Sequence, residues 1–250
     1  MKDLRLTIAF LTRIPMPAGV PSAEQGALAK AMWAFPLAGG IVGGLGGLVF
    51  LLTTALGIPE LVASILTVAV LIGITGALHE DGLADMADGT GGTTRTKKLE
   101  IMKDSRIGTY GVISLIVIIT LKIGTLSAYA GQTDALQLLL LLVFGGATSR
   151  TAIVVVSFLL PPAKADGLST LAGRPSVAAL AAALILAGLG GFILLPVVAA
   201  FLGLVGATLG AGLIILIAQR TIGGQSGDVL GATQQVAEVG LFLGALIAFA

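Results

Sequence analysis

The sequence contains no cysteine and only one histidine, His79. The missing cysteines exclude disulfides, thiolate metal sites and cysteine nucleophiles, and one histidine is too few for a multi-histidine zinc site. Charged residues are also scarce, at 11% of 250 residues against about 25% in an ordinary soluble domain. Because the formal net charge is only +1, the chain lacks the basic surplus of a typical nucleic-acid-binding protein, and we expect no nucleic-acid partner.

Apolar residues and glycine dominate instead. Hydrophobic residues reach 56%, there are 36 glycines, and the mean hydropathy is +1.05, which indicates lipid as the solvent. Since a spanning helix needs about 20 apolar residues, the apolar runs predict an all-α, polytopic integral membrane helix bundle that forms one domain over residues 1–250. About seven transmembrane helices are expected, with six or eight as alternatives. The candidate spans are Leu37–Ile58, Glu60–Leu78, Tyr110–Ala130, Leu136–Leu160, Val177–Leu195, Val197–Ala218 and Val229–Ala250.

Basic residues cluster in alternate loops between these spans. They precede the first span and follow the second, fourth and sixth, whereas the opposite loops carry none. The positive-inside rule therefore places the N-terminus and the polar loops in the cytoplasm, with the chain in the cytoplasmic (inner) membrane among its lipids. The run Leu6–Leu11 is too short for a signal peptide and predicts a cytoplasmic or interfacial helix. The clustered residues are Lys2, Arg5, Arg13, Lys30, Arg95, Lys97, Lys98, Lys103, Arg106, Lys164, Arg174 and Arg220.

Glycines in the first span recur every four residues, at Gly39, Gly43 and Gly47. This spacing places them on one stripe of a helix, where a neighbouring backbone can approach closely. The stripe predicts close helix packing, either within one chain or between protomers of a homo-oligomer.

The densest polar segment, LHEDGLADMADG at 78–89, contains four of the 13 acidic residues. Asp81, Asp85 and Asp88 stand at i, i+4 and i+7, so a helix places them on one face. Three neighbouring carboxylates repel one another unless a cation or protons neutralise them, and hard oxygen ligands favour Mg²⁺ or Mn²⁺. The spacing therefore predicts a Mg²⁺ site at the membrane–cytoplasm boundary. Glu80 points off this face and is expected in the outer shell of the site or in solvent, and His79 is expected to hydrogen-bond beside it.

A second charged segment precedes the third span. Lys103, Asp104, Ser105 and Arg106 come directly before Gly108. Basic side chains beside a divalent-metal site suit a diphosphate ester, because they neutralise phosphate oxygens while the metal polarises the phosphoryl group. The alternative is that the charges form ordinary ion pairs on a helix face.

Charged residues also occur inside the predicted spans. Asp228, Gln235 and Glu238 fall on one helix face, and Lys122 and Arg150 interrupt two other apolar runs. Ionised groups at membrane depth are costly without partners. Mutual pairing, snorkelling to a span end and a functional role all remain open for them.

In these segments the sequence resembles the cobalamin synthase family, the adenosylcobinamide-GDP ribazoletransferases. The resemblance covers nearly the whole chain and rests on separated motifs in the same order: FLTRIPMP at 10–17, FPLAGG at 35–40, HEDGLADMADG at 79–89, LEIMKDSRIGTYG at 99–111 and RTIGGQSGDVLGA at 220–232, followed by Glu238. One departure is Ser226, where the family generally has threonine. Both residues carry a hydroxyl.

The resemblance implies a Mg²⁺-dependent membrane enzyme that joins adenosylcobinamide-GDP to α-ribazole or its 5′-phosphate and releases GMP. Within that reaction, Lys103 and Arg106 are expected to clamp phosphate oxygens, and Asp104 or Asp228 to accept the proton of the attacking ribose hydroxyl. The expected catalytic residues are Asp81, Asp85, Asp88, Asp104 and Asp228. The expected substrate-binding residues are His79, Lys103, Ser105, Arg106, Arg150, Arg220, Gln225, Ser226 and Glu238.

Two other functions remain as alternatives. The spacing of the acidic residues is similar to that of the CDP-alcohol phosphotransferases. The signature of that family continues as DGxxAR after its first pair of aspartates, whereas here Gly89 is followed by Thr90 and Gly91 and no Ala-Arg pair occurs. A transporter would use the intramembrane residues Lys122, Arg150 and Glu238 as a translocation route. Most of the charge is expected at one face of the membrane, which argues against a transporter.

Overall fold

The computed structural model describes residues 1–16, 26–163 and 172–249, so Pro17 of the first motif, Lys164 and Ala250 lie outside the described residues. A short 3₁₀ turn, Met32–Ala34, joins the second helix to the third. The described helices are α1 (Lys2–Leu11), α2 (Ala27–Ala31), α3 (Phe35–Ala55), α4 (Glu60–Thr75), α5 (Leu78–Gly89), α6 (Arg95–Ile101), α7 (Thr109–Ala130), α8 (Ala135–Leu159), α9 (Val177–Leu194), α10 (Val197–Thr221) and α11 (Gly227–Ile247).

These helices confirm the prediction of a polytopic all-α bundle. Among the described residues, six helices are long and apolar enough to cross a membrane. The number rises to seven if the bent pair of α4 and α5 counts as one span. Helix starts follow local chemistry: Asp134 and Ser176 accept hydrogen bonds from backbone N–H groups in the first turns of α8 and α9. Pro196 stands at the N-cap of α10, where its missing N–H costs nothing.

The predicted second span, Glu60–Leu78, is wrong in its last turn. Helix α4 ends at Thr75, and the chain turns by 89° before α5 begins. Gly76 (φ +63°) and Ala77 (φ +57°) both adopt the left-handed conformation that makes this turn. The N-terminal segment contacts the turn, because the backbone N–H of Arg13 donates to the carbonyl of Ile74 at 2.7 Å. As a result, the acidic helix α5 crosses the bundle instead of continuing α4.

The glycine stripe of α3 packs against α8, as its spacing predicts. A side chain built at Gly39 would overlap the backbone of Gly146 on α8, and one built at Gly43 would overlap the backbone of Leu142. Close approach of the two backbones is therefore what these glycines provide within one chain. A homo-oligomeric state stays a prediction.

Gly39→Ala is expected to destabilise the bundle by about 1–3 kcal/mol, since the added methyl group must push two backbones apart. Gly40→Ala is the matched control, because its nearest neighbours are atoms of Val143 at 3.7 and 3.8 Å, an ordinary contact distance. Thermal unfolding of both variants in the same detergent measures the difference. Equal melting temperatures for the two variants would contradict close α3–α8 packing.

Candidate active site

The candidate site forms where α5 packs against α11. Two glycines permit the contact: a side chain at Gly82 would meet the Cα and carbonyl oxygen of Asp228 at 3.0 Å, and one at Gly231 would meet the Cα of Gly82 at 3.2 Å. This close packing brings together two segments almost 150 positions apart in the sequence. It sets the acidic face of α5 beside the first turn of α11.

Asp81 and Asp228 line one cavity of about 200 Å³ in this region. His79 lines the same cavity and is buried. The Ser226 hydroxyl donates to Oδ2 of Asp228 at 3.1 Å and also accepts the backbone N–H of Val229 at 3.4 Å, so it caps α11. The structure thus joins Asp81, His79, Ser226 and Asp228, which the sequence had placed in two separate motifs.

Asp88 has a structural contact at the other end of α5. Its two carboxylate oxygens accept the backbone N–H groups of Gly108 at 2.7 Å and Gly111 at 2.8 Å, which caps the N-terminus of α7. Across the described parts of the chain, no three His, Cys, Asp or Glu side chains form a group that could hold a metal ion. A three-carboxylate site is therefore not preassembled, and Mg²⁺ binding by Asp81, Asp85 and Asp88 stays a prediction.

The charged segment before α7 forms its own ion pair. Arg106 Nη2 donates to Asp104 Oδ2 at 2.6 Å, and the Arg106 side chain is 87% exposed. The side-chain hydrogen bond from Arg106 lowers the pKa of Asp104 to about 2. Lys103 and Ser105 are exposed. Because Asp88 binds Gly108 and Gly111, this segment lies next to the C-terminal end of α5, although none of its four residues lines the cavity.

Arg95, one of the clustered basic residues, makes contacts that the sequence does not indicate. Its guanidinium donates to the carbonyl of Ile222 at 2.8 Å and to that of Ala163 at 2.6 Å, which ties the start of α6 to the segment before α11. In the same segment, the backbone N–H of Gln225 donates to Pro161 at 2.8 Å. Gln225 is buried and outside the cavity, and Arg220 is exposed. Substrate binding by Gln225 and Arg220 stays a prediction.

The charged residues inside the spans pair with one another. Glu238 lies between Lys122 at 2.7 Å and Arg150 at 3.0 Å, with all three side chains at most 7% exposed. Glu238 is eleven residues into α11, roughly 17 Å along the helix axis from its start. Mutual pairing, one of the open alternatives, is therefore what the structure shows. A substrate contact by Arg150 or Glu238 stays a prediction.

Glu80 is buried, which excludes solvent as its location, and its expected place in the outer shell of the site stays a prediction. It is 6% exposed, rather than solvated, and accepts a hydrogen bond from Gln235 Nε2 at 2.9 Å. Gln235 also donates to Gln234 at 2.7 Å, and Gln234 donates to the hydroxyl of Ser149 at 3.1 Å. This chain of hydrogen bonds connects α5 through α11 to α8. It holds the acidic helix in a fixed position against the buried ion pairs.

Comparisons with known proteins identify the family of the chain. The family model for cobalamin-5-phosphate synthase matches residues 3–246. The chain belongs to this family. A relative from Bradyrhizobium diazoefficiens is 42% identical over 242 residues, covering 96% of this chain and 92% of the relative. One from Xanthobacter autotrophicus is 43% identical over 254 residues, covering 98% and 96%. Both relatives are named adenosylcobinamide-GDP ribazoletransferase. No solved structure matches the chain.

The family match spans every segment that builds the site. It includes the acidic face of α5, the Lys103–Arg106 segment and the first turns of α11. For this cobalamin-5-phosphate synthase family member, the structure adds that Asp81 and Asp228 share a cavity and that Asp88 binds the start of α7.

Proposed function

We propose that this chain transfers the adenosylcobinamide phosphate group from adenosylcobinamide-GDP to α-ribazole or α-ribazole 5′-phosphate, with release of GMP. The observation that carries the proposal is the shared cavity of Asp81 and Asp228, in a chain that is 42% identical to a relative named for this transfer. Phosphoryl transfer depends mainly on positioning and electrostatics, which two carboxylates held on packed helices supply.

The reaction balances as a single displacement at phosphorus. The 3′-hydroxyl oxygen of the ribazole forms a bond to the phosphorus attached to the corrinoid arm, and the bond from that phosphorus to the oxygen of GMP breaks. Asp228 accepts the hydroxyl proton, because its carboxylate lines the cavity and is oriented by Ser226 at 3.1 Å. The leaving GMP carries the electron pair of the broken bond.

Asp81 and Asp85 are the residues that fit Mg²⁺. They lie one turn apart on α5 and offer hard oxygen ligands. Mg²⁺ commonly takes only one or two protein carboxylates together with substrate phosphates and water, so a cage of three carboxylates is not needed. When bound, Mg²⁺ supplies charge neutralisation on the diphosphate oxygens. Asp88 contributes by fixing α7 against α5.

Asp104 is expected to play no part in proton transfer. The side-chain hydrogen bond from Arg106 lowers its pKa to about 2, so its carboxylate binds a proton more weakly than an ordinary aspartate does and becomes neutral only as the pH falls through that value. An ionised carboxylate held by Arg106 is a weak base, so Asp104→Asn should lower kcat less than about tenfold and leave the acid limb of the pH–rate profile unchanged. Asp228→Asn is the comparison variant, with a loss of more than about a hundredfold. If the acid limb of the pH–rate profile shifts in the Asp104→Asn variant, Asp104 is the proton acceptor.

We also propose that the N-terminus, α5 and the Lys103–Arg106 segment face the cytoplasm, in the inner membrane. Basic residues are concentrated in the N-terminal segment and in residues 95–106, which directly follow α5, and this supports the proposal. Both nucleotide substrates would then reach the site from the cytoplasm.

The proposed transfer is tested by product identification. Purified protein in detergent is given adenosylcobinamide-GDP and α-ribazole 5′-phosphate, and mass spectrometry follows GMP and the coupled corrinoid. Equal amounts of both products are expected. The transfer of a CDP-alcohol phosphate in a parallel reaction, without corrinoid coupling, would favour the alternative enzyme class. Uptake of corrinoid into vesicles without turnover would favour a transporter.

A further inference from the structure

The cavity beside Asp81 and Asp228 has a wall that the proposed transfer does not itself explain. Apart from its acidic end, it is lined mainly by apolar side chains from the N-terminal helices, α8 and α11. Phe10 of α1 and Phe35 of α3 stack within this wall, with ring centroids 6.3 Å apart and an interplanar angle of 29°. Met32 and Ile153 are among the buried residues that complete it.

The size of the cavity limits what it can hold. An apolar cavity of about 150 Å³ accepts a benzene molecule, so about 200 Å³ accommodates one small aromatic ring system. A corrin macrocycle with its side chains is several times larger than this. Aromatic and sulfur-containing walls favour an aromatic guest, since stacking and sulfur–ring contacts add to apolar burial.

Resting on the proposed function, we propose that this cavity binds the aromatic base of the ribazole nucleoside. The base packs against the apolar wall at the partly exposed ring of Phe10, and its ribose lies at the end formed by Asp81 and Asp228. The acidic end suits the ribose, because the carboxylates of Asp81 and Asp228 can accept hydrogen bonds from its hydroxyl groups.

The same cavity explains a preference among bases. Dimethylbenzimidazole, the base of α-ribazole, carries methyl groups, whereas adenine carries an amino group and additional ring nitrogens. Those polar atoms would lose water inside an apolar wall without gaining partners, which lowers affinity. We therefore expect α-ribazole to bind at least about tenfold more tightly than α-adenosine, which has the same α-glycosidic configuration and differs in the base.

Binding is measured by isothermal titration calorimetry of α-ribazole into the purified full-length protein in detergent, alongside steady-state kinetics. Phe10→Ala should weaken α-ribazole binding about tenfold and raise the KM for α-ribazole by a similar factor. The KM for adenosylcobinamide-GDP should stay within about twofold, because the corrinoid does not enter this cavity. Phe10→Tyr retains the ring and should restore binding.

Leu6→Ala is the matched control, since Leu6 lies on α1, is half-buried like Phe10 and does not line the cavity. It should leave both KM values unchanged. Absence of α-ribazole binding by the wild-type protein, equal binding of α-adenosine, or a Phe10→Ala effect on the corrinoid KM alone would overturn the inference. α-Ribazole binding that is sensitive to Phe10, without GMP release, would support the cavity assignment and refute the proposed transfer.

Discussion

Asp81→Asn is expected to lower ribazole-dependent GMP release by about a hundredfold to a thousandfold. The substitution preserves the size of the side chain but removes its negative charge, which weakens Mg²⁺ binding and with it the charge neutralisation on the diphosphate oxygens. Asp81 is exposed on α5 at the edge of the cavity, so the folded bundle should be retained. The measurement is kcat with saturating substrates, together with the melting temperature in detergent.

Glu100→Gln is the control for Asp81→Asn. Glu100 is an exposed carboxylate on α6 that forms an ion pair with Lys97 at 3.2 Å on the same helix. It should retain activity within about twofold, as expected for a surface ion pair. Near-normal turnover in Asp81→Asn would remove this carboxylate from the mechanism.

Glu238→Gln is expected to destabilise the protein by about 3–5 kcal/mol, since it leaves Lys122 and Arg150 buried without their common counter-ion. Lys122→Met should cost less, because Glu238 then keeps Arg150 at 3.0 Å. The double variant Glu238→Gln/Lys122→Met should be more stable than Glu238→Gln alone, since one of the two unpaired cations is gone. Thermal unfolding in detergent measures all three.

The two single variants and the double variant form a double-mutant cycle. This cycle distinguishes an ion pair from two charges that act independently. If the loss of stability in the double variant equals the sum of the losses in the two single variants, the two residues do not act as a pair. A stable Glu238→Gln protein with lost turnover would instead place Glu238 in substrate binding.

Most of the fold was predictable because membrane spans are defined by apolar length. The predicted span Tyr110–Ala130 corresponds to α7 (Thr109–Ala130), and Val177–Leu195 corresponds to α9 (Val177–Leu194). The break after α4 was not predictable in the same way. Hydropathy continues across Gly76 and Ala77, and the left-handed conformation of an alanine has no clear sequence signal.

The site was predictable within each helix but not between helices. Helical spacing placed Asp81 and Asp85 on one face, yet it says nothing about which neighbour that face meets. The contact of Gly82 with Gly231, which brings Asp228 to Asp81, depends on tertiary packing. Helical spacing left solvent open as a location for Glu80 for the same reason, because it does not show that α11 covers the side of α5 that carries Glu80.

Mn²⁺ binding tests the central claim, that the acidic face of α5 holds a divalent cation with the diphosphate. Mn²⁺ suits the same carboxylate ligands as Mg²⁺, and the EPR signal of free Mn²⁺ reports its bound fraction. In the presence of adenosylcobinamide-GDP, the wild-type protein should bind more Mn²⁺ than the nucleotide alone, and Asp81→Asn and Asp85→Asn should lose this excess. Equal excess binding in the wild-type protein and both variants would contradict the account.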